Sequence, residues 1–145
     1  VGPGSAWLPR ALLESAHTEV AVRSLAWLCE QLFVGGWLSL PGTQGWFPRE
    51  GPRAVFDQLP DEAAALVSAC AVAFDTTGEP RFRQWAELGC AWFEGQNVAG
   101  QSLLDSASGV CADAIGDEGI SRGRGADALL SWLLVQEEMI ERGWR

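Results

Sequence analysis

Two stretches of this chain bring together side-chain types that bind and process sugars. The first runs from Trp46-Phe47-Pro48-Arg49-Glu50-Gly51-Pro52-Arg53 into Phe56-Asp57-Gln58-Leu59-Pro60-Asp61-Glu62. Trp46 and Phe47 offer flat apolar faces for the C–H face of a sugar ring, while Arg53, Asp57, Gln58 and Glu62 offer directional partners for paired hydroxyls. A structural reading stands beside it, in which the aromatics pin the loop to the core and Asp57 and Asp61 cap a helix. The second stretch carries Asp105, Asp113, Asp117, Glu118, Arg124 and Asp127. Of these, Asp113, Arg124 and Asp127 would form the opposite wall of a saccharide site, and Asp57 or Asp127 is the candidate general acid or base. The alternative is a solvated acidic loop. Arg122-Gly123-Arg124-Gly125 either meets an anion at a helix start or pairs with the acids around it.

Other chemistries are excluded. All ten basic residues are Arg, so Schiff-base formation and a lysine general base are ruled out. His17 is the single histidine, which removes His-rich metal sites and leaves a serine triad dependent on one helical residue. The acidic loop lacks the calcium-loop spacing, and neither a metal nor a cofactor is expected. A net charge of -9 repels phosphate backbones and anionic lipid, so nucleic acid is an improbable partner. Charged residues and Gly interrupt every apolar run before it reaches the ~18 residues of a membrane span. Cys29, Cys70, Cys90 and Cys111 form no C-x-x-C pair. They read as buried, reduced thiols, which places the chain in a reducing, cytoplasmic setting.

The elements that must carry these residues are helical. Leu12, Leu13, Val20, Val22, Leu25, Leu28 and Leu32 recur at threes and fours, predicting one long helix from Pro9 to about Phe33 before Gly35-Gly36. A Gly-, Pro- and aromatic-rich loop follows to Leu59. A second helix starts at Pro60-Asp61-Glu62 and runs to about Phe74, Thr76-Thr77-Gly78-Glu79-Pro80 makes a tight turn, and a third runs from Pro80 to about Gln96. After a second long loop, a fourth helix covers about Arg124 to Glu141. Two registers repeat at similar distance: Asp61–Leu66 with Gly125–Leu130, and Ala26-Trp27-Leu28-Cys29-Glu30-Gln31 with Ala91-Trp92-Phe93-Glu94-Gly95-Gln96. Helical hairpins repeated at such a period are the mark of a toroid or solenoid, with the long loops gathered at one end.

From about Leu40 to Met139 the chain resembles the C-terminal helical domain associated with bacterial glycosyltransferases, a relative of six-hairpin (α/α) glycosidases and sugar epimerases. The resemblance rests on Gly45-Trp46-Phe47 ahead of Arg53-Ala54-Val55-Phe56-Asp57-Gln58-Leu59-Pro60-Asp61-Glu62-Ala63-Ala64, then Thr77-Gly78-Glu79-Pro80-Arg81-Phe82, then Ala91-Trp92-Phe93-Glu94-Gly95-Gln96-Asn97. The run from Asp105 to Asp113 and from Gly119 to Ala128 completes it. Leu59, Ser121, Gly123 and Asp127-Ala128 depart from the family pattern where a polar site would lie.

The resemblance implies an all-α fold built as part of an (α/α) toroid, about four helices with two long loops. Residues 1–145 then form a single helical domain, a fragment of a larger toroid whose open edges are covered by the rest of a longer chain or by self-association. It also implies a carbohydrate-metabolism accessory role with a saccharide at the loop-rich end. The rival expectation is a non-catalytic interaction or oligomerisation module.

Overall fold

In the computed structural model, which describes residues 1–145, the frame is five helices: α1 (Trp7–Glu14), α2 (Thr18–Leu32), α3 (Pro60–Thr77), α4 (Pro80–Phe93) and α5 (Ala126–Glu141). The all-α class is as expected. Two antiparallel ladders of two residues per strand interrupt the connections, β1 (Phe33–Val34) with β2 (Trp37–Leu38) and β3 (Ile115–Gly116) with β4 (Gly119–Ile120). No helix is long and apolar enough to cross a membrane.

One long N-terminal helix was the expectation, and the structure divides it. Ala16 adopts a left-handed φ of 63°, the Ser15 hydroxyl takes the Ala11 carbonyl at 2.9 Å, and the His17 N–H turns back to the Leu12 carbonyl at 2.9 Å. These bonds satisfy the carbonyls at the end of α1 and let α2 leave in a new direction. His17 thus sits at the start of α2, its ring exposed and its Nδ1 2.9 Å from the Ser15 carbonyl.

α3 is the hub. It packs against α1, α4 and α5, while α2 lies mainly on α1. Its composition explains this position: Ala63, Ala64, Ala65, Ala69, Ala71 and Ala73 are all buried, and small side chains admit neighbours on several sides. Pro60 opens α3 with Asp61 and Glu62 in the first turn, where acids favour the helix dipole. Gly78 closes it at a left-handed φ of 70° and donates to the Phe74 carbonyl at 2.7 Å, making the tight α3–α4 turn. Trp92, Phe82 and Phe93 fill the interior, with Trp92 edge-on to Phe93 at 5.1 Å.

A polar network fixes α5 on α3. The buried Ser68 hydroxyl donates to Glu138, Arg142 bonds Glu138 at 2.7 Å, and the same guanidinium holds Asp75 at 2.6 Å. All four cysteines are buried and free. Burial pushes the Cys29 thiol well above its ordinary pKa and Cys111 up to about 11, which keeps both protonated.

Candidate functional site

The two long connections meet at Gln58. Its backbone exchanges two hydrogen bonds with Ile115, N–H to carbonyl at 2.9 Å in each direction. The loop ahead of α3 and the loop ahead of α5 therefore join beside the N-terminus of α3. The Gln58 side chain is enclosed rather than presented: Oε1 accepts from Leu40 N–H at 3.3 Å and Trp92 Nε1–H at 3.2 Å, and Nε2 donates to the Val55 carbonyl at 3.1 Å. The side chain is fully buried, so no part of its amide is open to a ligand. The loop before it is stitched by Gly42 N–H to Ala54, Thr43 N–H to Asp57 and Gln44 N–H to Phe56.

The candidate acids divide between two hollows. Asp57 lines a groove of about 580 Å³ with Asp117, Glu118 and Arg122. Asp113 and Asp127 line a smaller one of about 290 Å³ with Asp61, between the starts of α3 and α5. Asp57 and Asp127 thus line different hollows, each with two further carboxylates beside it. Asp113 is engaged: its Oδ1 accepts the Gly125 N–H at the start of α5, and a Cβ on residue 125 would come within 2.9 Å of that oxygen. Neither Asp57 nor Asp61 caps α3, whose first residues have no side-chain cap.

Three further candidates make hydrogen bonds within their own chain. Glu62 accepts the Gly4 N–H at 2.6 Å, tying the segment ahead of α1 to α3. Burial raises the Glu62 pKa, partly offset by that bond and reinforced by Asp61. Arg124 donates to the Ser121 and Gly123 carbonyls at 2.6 and 2.7 Å, closing its own turn. Trp46 is half-buried at a left-handed φ of 56°, bonding back to Gly42 and Ala54 through its backbone.

Phe47 and Arg53 go elsewhere. Phe47 lines a groove of about 460 Å³ with Trp27, Gln31, Pro48 and Arg49. The Arg53 guanidinium lies 5.8 Å from the Phe47 ring centroid and donates to the Gln31 carbonyl at 3.3 Å. Trp27 is 55% exposed, a large aromatic face open to solvent and flanked by amide and guanidinium groups. Of the sequence candidates, only Phe47 lines this groove directly. Trp27 and Gln31 were visible in the sequence as one copy of the repeated Trp-x-x-x-Gln spacing, without any sign that this copy faces outward.

Fold and grooves together define a small all-α protein with an aromatic groove on its α2 edge and an acidic rim where its two long loops join. Comparison with protein-family models, curated proteins and solved structures finds no match.

Proposed function

We propose that this chain is a saccharide-binding accessory module of carbohydrate metabolism that holds its ligand in the Trp27–Phe47 groove without turning it over. The observation that carries the reading is the exposed face of Trp27 beside Phe47, Gln31 and Arg49. Sugars bind where an aromatic plane takes the C–H face and planar polar groups take adjacent hydroxyls. Binding in the Trp27–Phe47 groove is favoured over catalysis at the acidic hollows because neither hollow is lined by an aromatic side chain on which a sugar ring could rest. A helical hairpin, α3–α4, between two long connections supports the further proposal that the chain is an arc of an (α/α) toroid serving a glycosyltransferase-like enzyme. The test is a glycan array followed by tryptophan-fluorescence titration of the hits. Binding that Trp27→Ala abolishes supports the module, and a blank array rejects it.

A second reading, an interaction or oligomerisation module, is favoured by one observation. Leu130, Leu133 and Ile140 stand 62%, 52% and 60% exposed along the outer face of α5. An apolar stripe at helical spacing on a free face is what a partner helix or a second copy would cover. Sedimentation equilibrium decides it: a defined oligomer dispersed by Leu133→Asp supports self-association, and a monomer at all concentrations rejects it.

A further inference from the structure

We infer that the Trp27–Phe47 groove takes an anionic saccharide, one whose ring carries a carboxylate or phosphate; the inference rests on the saccharide reading above. It starts from the arginines. Arg10, Arg81, Arg83, Arg142 and Arg145 each hold a carboxylate within 3.4 Å. Arg23, Arg49, Arg53, Arg122 and Arg124 hold none, in a chain with 19 acidic residues against 10 basic ones, and Arg49 and Arg53 are the two of these at this groove or against its Phe47 wall. Glu50, next to Arg49 along the chain, forms no ion pair with either, and Glu30 faces the neighbouring groove beside Arg23 and Arg81.

Arg53 is the more unusual of the two. Its Nη1 reaches only the Gln31 carbonyl, and its Nη2 is shut from solvent with no partner at all. A half-buried guanidinium without a counter-charge is costly, and burial accordingly lowers its pKa. An anion in the groove would offset that cost. Arg49 lines the groove directly and can give a paired, charge-assisted hydrogen bond to a carboxylate or phosphate, with the Arg53 charge behind Phe47 adding to the attraction. The Gln31 side-chain amide is left for hydroxyls. The protein's overall negative charge opposes an anion weakly at this point, because exposed charges are screened beyond roughly 8 Å at physiological ionic strength.

The experiment uses the intact chain on an array of matched neutral, carboxylated and phosphorylated glycans, then calorimetric titration of each hit against its neutral counterpart. The expected result is roughly tenfold tighter binding of the anionic member, corresponding to one charge-assisted hydrogen bond. The advantage should shrink as salt rises, and Arg49→Gln should bring the anionic member down to the neutral level. Preference for carboxylated over phosphorylated members, or the reverse, assigns the source of the charge. Neutral glycans bound as well as or better than their acidic partners would overturn the anionic assignment and leave the saccharide reading in place. A blank array would take both down. Arg49 is exposed, so circular dichroism of Arg49→Gln should match the parent and keep the comparison interpretable.

Discussion

The same Ala-Trp-x-x-x-Gln spacing lies within α2 and runs off the C-terminal end of α4, and its two tryptophans are put to opposite uses. In α4, Trp92 is fully buried, its indole N–H on Gln58 and its ring edge-on to Phe93. In α2, Trp27 is 55% exposed and lines two open grooves. The two copies share the Ala, the Trp and the Gln; their neighbours in space differ. α4 sits between the Ala-rich hub α3 and the loop carrying Gln58, whereas α2 rests mostly on the short α1 and leaves one side free. A tryptophan that completes a core and one that can meet a ligand are thus separated by the next layer of packing.

The sharpest test of that contrast is stability. Trp92→Ala should cost about 3–5 kcal/mol in urea denaturation, as deletion of a large core aromatic does. Trp27→Ala should stay within about 0.5 kcal/mol of the parent. Equal losses would mean that the two tryptophans are structurally equivalent and that α2 does not offer a free face.

A second measurement probes why Trp92 is held. Gln58→Leu keeps the volume but removes the acceptor shared by Leu40 N–H and Trp92 Nε1–H, and should destabilise by about 2 kcal/mol, the cost of stranding buried donors. It should leave glycan binding at the Trp27 groove intact after correction for folded fraction. Loss of binding without loss of stability would return Gln58 to the ligand site.

Much of the frame could be read from the residues. Pro60, Pro80 and Gly78 punctuate α3 and α4 as their backbone chemistry requires, and the observed ends lie within a few residues of those signals. The break between α1 and α2 could not be read, because Ser15, Ala16 and His17 contain neither Gly nor Pro and the turn depends on Ser15 and His17 finding carbonyls of the preceding turn. The site was less legible for a physical reason. Gln58, Glu62 and Arg124 have the composition of a ligand surface, but Gln58 is held by Trp92 and Leu40, Glu62 by Gly4, and one guanidinium nitrogen of the exposed Arg124 by the Ser121 and Gly123 carbonyls. Polar side chains near a loop face two fates, and spacing along the chain does not distinguish them.

Asp113 tests the same distinction at smaller scale. Its carboxylate accepts the N–H at the start of α5 and lies where the helix dipole favours negative charge. Asp113→Ala should therefore lower stability by about 1 kcal/mol, the worth of a partly exposed charge-assisted bond, with glycan affinity unchanged. A change in affinity at constant stability would place Asp113 in a binding wall.

The smallest effect concerns the base on which α2 rests. Glu62 anchors the segment before α1 through Gly4, yet burial holds its carboxyl pKa above the ordinary carboxylate value. The sign follows from linkage: a carboxyl whose folded pKa is raised is charged at a cost above that pKa, and the cost disappears once the pH falls below the unfolded value, about 4.3. Glu62→Gln retains a side-chain carbonyl to accept the Gly4 N–H and removes the charge. Its Tm should exceed the parent's slightly at pH 7, and the gap should close as the solution is acidified toward pH 4. If the variant is instead less stable at pH 7, the charge on Glu62 contributes more to holding Gly4 than its burial costs, and the segment ahead of α1 is bound to the hub by a charge-assisted hydrogen bond as well as by packing.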